Sequence, residues 1–252
     1  MPAVSVVRNV LASLLLLFGT GSAQAGQINL FGADNLPPKS WQDGSAPRGY
    51  AVDAATEALT RAGYQPLVKL EPWPRAIEDA TAGNGIITHF SKTPERERIF
   101  EFSQPLVYDR IVVVVRKGRE FPFNSVKDLI GKRVGVLRGV AYGGDWAASL
   151  KDLTLEEDTD AVARLGKLVR ERLDAAIISS GAAGLDIAAH GAGLRPAQFT
   201  ILPVPILDDP NYLAIAKGPD SARIMAGINA AIANMHADGA IDQIMAKYGE
   251  QQ

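Results

Sequence analysis

Thr88-His89-Phe90-Ser91-Lys92-Thr93-Pro94-Glu95-Arg96-Glu97-Arg98-Ile99-Phe100-Glu101-Phe102-Ser103-Gln104-Pro105 is the stretch whose reading decides the fold. It follows the apolar pair Ile86-Ile87, which reads as the end of a buried strand. Thr93 suits a helix N-cap, Pro94 the first helical position and Glu95 the first turn, so a short helix is predicted from Pro94. A helix N-terminus presents unpaired backbone N–H groups and a partial positive charge, which together favour an anion. Arg96 adds a planar fork that matches a carboxylate through two parallel hydrogen bonds, and Ser91 adds a hydroxyl. The stretch therefore has two readings. It is either a holder for the carboxylate of a small ligand or a capped surface helix carrying a solvated arginine.

Upstream, residues 27–31 read as a strand, and Gly32 through Pro38, with Gly44 and Pro47, as a loop. Residues 50–62 form a helix stopped by Gly63, residues 65–70 a strand, and a further helix starts at Pro74. Strand, helix, strand, helix, strand argues for a parallel sheet covered by helices. Ligands of such sheets sit at the carboxyl ends of strands. The loops 34–38, 72–74 and 88–96 then converge there.

Downstream, Ile111-Val112-Val113-Val114-Val115 is a buried central strand, after which the pattern restarts. Helices are predicted over 125–129, 142–150, 158–169 and 182–189, and strands over 133–137, 173–178, 199–202 and 212–216. Asp208-Asp209-Pro210 reads as a turn, and Trp41 and Trp146 as packing residues. Helical spacing runs from Ser221 to Met235, and after Gly239 a second helix carries Ile241, Ile244, Met245 and Tyr248.

The 252 residues are 47% apolar and 21% charged, ordinary for a soluble globular chain, and a net charge of −2 gives no footing for nucleic acid. Within residues 1–25, Arg8 is the only charge, Leu14, Leu15, Leu16 and Leu17 form an apolar core, and Ala23-Gln24-Ala25 is a small-x-small cleavage site before Gly26. This is the pattern of a secretory signal peptide, and its removal leaves a net charge of −3. Without cysteine the exported chain has no disulfide, no thiol nucleophile and no acceptor for a lipid anchor. The expected product is a free periplasmic protein. His89, His190 and His236 are too scattered for a metal site, so no metal or other cofactor is expected.

The order of motifs resembles the bacterial extracellular solute-binding proteins of family 3, the periplasmic receptors of polar amino-acid ABC importers. The matching pieces are Leu36-Pro37-Pro38, Gly49-Tyr50-Ala51-Val52-Asp53, Trp73-Pro74-Arg75-Ala76, Thr93-Pro94-Glu95-Arg96 with Phe102-Ser103-Gln104-Pro105, Gly131-Lys132-Arg133-Val134-Gly135-Val136, Leu173-Asp174-Ala175-Ala176, and Ala237-Asp238-Gly239 with Lys247-Tyr248. The resemblance implies a type 2 periplasmic-binding fold: two α/β lobes, each a mostly parallel sheet flanked by helices, joined by two crossover segments. Lobe 1 would be 26–109 with 210–252, and lobe 2 would be 110–209. The implied function is capture of a small carboxylate-bearing solute by hinge closure, as a monomer, for an inner-membrane ABC permease.

Residue by residue, Arg96 matches the arginine that grips the ligand carboxylate, Ser91 a hydroxyl beside it, and Trp73 and Phe90 the walls of the side-chain pocket. Asp34 matches a contact to the ligand's distal polar group, and His89 is expected at the cleft. Two departures stand out. Val140-Ala141 replaces a hydroxyl pair after Gly139, and Ser179 stands where the family places an acid for the ligand's α-ammonium. An ammonium in a closed cleft needs a compensating charge. The ligand is then either a carboxylate without an α-amine, or one whose amine meets another acid such as Asp34 or Asp208. Two other functions share this fold: a periplasmic dehydratase of cyclic acids and a sensor subunit for a membrane kinase.

Overall fold

The computed structural model describes residues 26–140 and 150–249. The expected signal peptide, Ala141, Trp146 and nearly all of the helix expected over 142–150 lie outside them.

The chain begins with β1 (Gly26–Ala33), β2 (Asn35–Leu36), β3 (Ser40–Asp43), β4 (Ala46–Arg48), α1 (Tyr50–Arg61), β5 (Tyr64–Glu71), α2 (Trp73–Thr81), β6 (Ile86–Ser91), α3 (Pro94–Ile99) and β7 (Phe100–Phe102). It continues with β8 (Val107–Arg116), a 3-10 turn at Val126–Leu129, β9 (Arg133–Leu137), β10 (Thr154–Asp158), α4 (Ala161–Val169), β11 (Ala175–Ile178), α5 (Gly181–Gly191) and β12 (Phe199–Ile201). β13 (Leu207–Ala216), α6 (Ser221–Ala237) and α7 (Ala240–Lys247) close it.

One curled sheet runs through both lobes in the order β10-β9-β11-β8-β13-β6-β1-β5. β1 is parallel to β5 and β6, and β9 is parallel to β10 and β11. The two long strands β8 and β13 join these halves. They pair antiparallel with each other at 107–111 against 207–211; beyond that β8 turns to β11 and β12, while β13 turns to β6 and β7. The chain thus crosses between lobes twice, on strands that hold each other.

Each lobe has apolar material on both faces of its sheet. Ile111, Val113 and Val115 pack with Val134, Val136 and Ile177, while Val112 and Val114 pack with Leu165, Leu168 and Leu185. That period of two explains the unbroken Val run: both faces are buried. In the other lobe, Ala51, Ala55, Ala58 and Leu59 of α1 meet Ile228, Ile232 and Met235 of α6. The opposite sheet face carries Phe31, Trp73, Ala76, Phe90 and Phe100.

Several local expectations needed correction. The loop expected before α1 contains a small antiparallel sheet, β2-β3-β4, each strand too short to leave a pattern. Residue 158 ends β10 rather than opening a helix; Asp160 caps α4 by accepting from the Ala163 N–H at 2.7 Å. Asp208-Asp209-Pro210 lies inside β13 rather than in a turn, because pairing with β8 overrides the local proline signal. β8 likewise starts four residues earlier than its Val run, at Val107.

Gly49, just before α1, fixes where the preceding loop can lie. Its φ is +128°, and a Cβ there would fall 2.1 Å from the Lys39 carbonyl oxygen. Gly49→Ala is expected to cost at least about 3 kcal/mol, since backbone strain and a backbone clash add. Gly63→Ala, at φ +85° with nothing within 4 Å, should cost only about 1–2 kcal/mol. Urea denaturation of the two variants measures the difference; equal losses would show that the Gly49 contact relaxes freely.

Candidate functional site

The site is built where β8 and β13 cross between the lobes. Burial along β8 alternates from Val107 to Ile111, so Val107, Asp109 and Ile111 face inward while Tyr108 and Arg110 face out. Asp209 and Asn211 of β13 are buried on the same side, and Asp209 lies directly opposite Asp109. Asp109 is 1% exposed and Asp209 3%, so two carboxylates face each other out of water. Like charges directly opposite on paired strands repel.

Lys39 answers them. It follows Pro38 in the loop between β2 and β3, is 5% exposed, and donates its ammonium to Asp109 Oδ2. Asp109 Oδ1 accepts from the Ser180 N–H at 2.7 Å and stands 3.5 Å from the Tyr50 hydroxyl. Tyr50 and Ser180 hydroxyls are 3.1 Å apart, a contact between lobes. Ser180 has φ +59°, a left-handed conformation uncommon for serine that aims its N–H at Asp109.

Asp209 has weaker support. Its Oδ2 accepts from Ser91 Oγ at 2.5 Å and from Asn211 Nδ2 at 3.1 Å. Burial pushes its pKa up to about 6 and the Asp109 charge adds to this, while Ser91, Lys39 and Asn211 oppose. Arg96 is held by α3, whose cap forms as expected: the Arg96 N–H donates to Thr93 Oγ1 at 3.3 Å. Its guanidinium lies 3.9 Å over the Phe90 ring, and Nη1 donates to the Ser91 carbonyl at 2.8 Å. Burial lowers its pKa to about 10, with Asp209 pulling the other way. Among the described residues Arg96 forms no salt bridge, so most of its donors are uncommitted.

His89 has φ +43° and stacks on Trp73 with ring centres 4.7 Å apart. Its Nε2 accepts the Ala33 N–H at 3.1 Å and lies 3.1 Å from Ser40 Oγ. The Ala33 amide is an obligate donor, so the ring proton belongs on Nδ1. Burial and the Lys39 charge drive its pKa down to about 3, leaving a neutral ring.

These groups border an inner cavity of about 20 Å³, room for about one water molecule. Lys39, Trp73, His89, Ser91 and Arg96 line it from one lobe, Leu137, Val140 and Ser179 from the other, and Asp109 and Asp209 from the crossover strands. An outer cavity of about 370 Å³ shares Trp73 and Leu137 with it and runs between Asp34, Pro72 and Pro74 on one side and Arg138, Thr159 and Asp160 on the other. A hollow of about 510 Å³ lies elsewhere, on the second lobe. There Arg116 and Arg133 are paired with Glu171 and Asp174, and Lys132 lies over the Phe121 ring.

Of the residues singled out in sequence, Arg96, Ser91, Trp73, His89 and Ser179 therefore meet at one cavity. Asp34 borders the outer space. Phe90 sits beneath Arg96 and supports it. Ala141 lies outside the described residues, next to Val140. Asp208 points outward to Arg110 at 2.9 Å, so the acid in the cleft is its neighbour Asp209. Trp41 packs edge-on against Tyr248, as expected of a packing residue. Lys39, Asp109 and Asp209 went unmarked. A lysine after Pro37-Pro38 and an acid two residues before a Val run were the available signals.

The match to a family model is decisive. The model of bacterial extracellular solute-binding proteins, family 3, covers residues 28–251. The chain belongs to that family. It is 24% identical to the L-cystine-binding protein TcyJ of Escherichia coli (strain K12), over 84% of this chain and 78% of that one. Its fold is similar to that of an ancestral arginine-binding protein bound to arginine, with a TM-score of 0.74, 22% identity and coverage of 89% and 99%. It is also similar to a histidine kinase sensor domain with similarity to periplasmic binding proteins, with a TM-score of 0.73, 19% identity and coverage of 89% and 96%. The two-lobed architecture expected from the motifs is thereby borne out.

The electrostatics set a pH dependence. Folded Asp209 keeps its proton to a higher pH than an unfolded aspartate, so folding binds protons between pH 3.8 and about 6. Its contribution therefore falls as pH rises through that window, by about 3 kcal/mol. Neutral His89 acts oppositely: its contribution is full above pH 6.5 and is lost as pH falls toward about 3. Asp209→Asn removes the first effect and leaves the second. The stability of the variant relative to the native protein should rise by about 2 kcal/mol between pH 4 and pH 7 in urea denaturation. An unchanged difference would mean that Asp209 titrates normally.

Proposed function

We propose that this protein is a periplasmic receptor that captures a small carboxylate-bearing solute, an amino acid or related organic acid, and delivers it to an inner-membrane ABC permease. The single observation that carries the reading is Arg96: a half-buried guanidinium bordering the cleft without a salt bridge among the described residues. A partly desolvated cation needs an anion, and a planar fork with free donors suits a carboxylate. Family membership and relatives that bind amino acids or cystine support the same conclusion. The signal-peptide pattern of residues 1–25 supports export.

In this reading the lobes are 26–109 with 210–252 and 110–209, and the hinge is the paired stretch of β8 and β13. Trp73 walls the ligand, and Asp34 faces whatever extends into the outer cavity. The inner cavity is too small for any amino acid, so uptake requires the lobes to part and reclose around the solute. No covalent chemistry is required of any residue. Membership of a family of binding proteins favours capture over the dehydratase alternative.

The test is a thermal-shift screen of the purified protein, stripped of bound solute by unfolding and refolding, against common amino acids and amine-free carboxylates. A ligand at 100 times its Kd should add about 2.7 kcal/mol of stability. Arg96→Lys keeps the charge and loses the fork, and should weaken the hit by about 10- to 100-fold. A hit that ignores this substitution would remove Arg96 from the site.

A further inference from the structure

This inference rests on the carboxylate reading above and concerns what else the ligand carries. A ligand ammonium enclosed in the inner cavity would need a carboxylate with free acceptor capacity. Ser179 borders that cavity and has no charge. Asp109 borders it too, but its acceptors are engaged by the Lys39 ammonium, the Ser180 N–H and the nearby Tyr50 hydroxyl. Asp209 is engaged through Oδ2 by Ser91 and Asn211, which leaves its Oδ1 as the one carboxylate oxygen open to a ligand ammonium. Two cations, Lys39 and Arg96, already face this space. Asp109 is already matched by Lys39, so a ligand ammonium set beside Lys39 would be repelled by it with Asp209 alone to offset this.

The donor side shows the reverse. A lysine ammonium has three N–H donors, and Asp109 is the acceptor that Lys39 reaches. Its remaining donors suit an oxygen at the position where an amino acid carries its amine. We propose that Lys39 is the specificity-determining residue of this cleft: its ammonium fills the role of a ligand α-ammonium, so the protein selects 2-oxo or 2-hydroxy carboxylates over the corresponding 2-amino acids. Arg96 takes the carboxylate, and Lys39, backed by Asp109, donates to the α-oxygen.

The experiment is calorimetric titration of the stripped protein with matched triplets that differ only at the α-carbon: alanine, lactate and pyruvate; glutamate, 2-hydroxyglutarate and 2-oxoglutarate; phenylalanine, phenyllactate and phenylpyruvate. Arginine and cystine are added because relatives are named for them. The oxygen-bearing members should bind at least about 10-fold tighter than their amino counterparts. Lys39→Ala should shrink or reverse that ratio, because Asp109 is then free for a ligand ammonium, while Lys39→Arg should preserve it. The native protein alone decides the ratio, whether or not the variants fold well. Amino acids binding as tightly as, or tighter than, their oxygen counterparts overturns the inference. If that amino-acid binding is lost in Arg96→Ala, the carboxylate reading survives. Binding of none of these carboxylates overturns both.

Discussion

Two carboxylates, Asp109 and Asp209, are set face to face by the register of β8 against β13, and one ammonium, Lys39, stands with them. Much else follows from that arrangement. β8 cannot slip by one residue against β13 without turning Asp109 outward and bringing Tyr108 or Arg110 opposite Asp209. The acids cannot remain buried at this separation without a cation. The cation arrives on a loop held by the contact of Gly49 with the Lys39 backbone. Hinge, cleft floor and loop are thus one electrostatic unit. Its members come from residues near 39, 109, 180 and 209, so it exists only when both lobes are folded and joined.

Arg96 belongs to a second, more local unit. Its place is fixed by the Thr93 cap, the Phe90 ring beneath it and the Ser91 carbonyl beside it, all within seven residues. Locality is why it was readable from sequence. Thr-Pro-Glu-Arg announces a capped helix, and the capped helix points the arginine. The two units touch through Ser91, which gives its carbonyl to Arg96 and its hydroxyl to Asp209. Any charge placed on Arg96 is therefore felt through Ser91, two hydrogen bonds away, by the Asp209 carboxylate.

The lobes, strand order and Val run of β8 were legible because burial on both sheet faces leaves a periodic trace. Trp73, His89, Ser91 and Arg96 were legible because they sit at the carboxyl ends of recognisable strands or just after them. Asp109 and Asp209 were not. Each looks like a solvated residue at a strand edge or turn, and Pro210 strengthens that impression. Only the pairing of two strands a hundred residues apart makes them opposite and buried. The choice of Asp208 over Asp209 as a candidate acid was a phase error of one residue. Strand alternation converts such an error directly into the wrong face, which here holds an ion pair with Arg110.

The departures from the family's motif are better read as one change than as two. A cleft that receives an amino acid takes both a positive and a negative charge from its ligand, so the protein must supply the complements of each. Here the acid expected five residues after Asp174 is Ser179, while an unexpected lysine appears on the opposite lobe and an unexpected acid beneath it. In the proposed reading the charge pair has moved from between protein and ligand to within the protein. Such a relocation keeps the closed cleft near neutrality with a ligand that brings a negative charge alone, provided one further charge can be released. Asp209, with its pKa lifted to about 6, is the group poised to do so by taking up a proton. Under the proposed preference for an amine-free acid, binding would be accompanied by proton uptake at Asp209, whereas a zwitterion would need none.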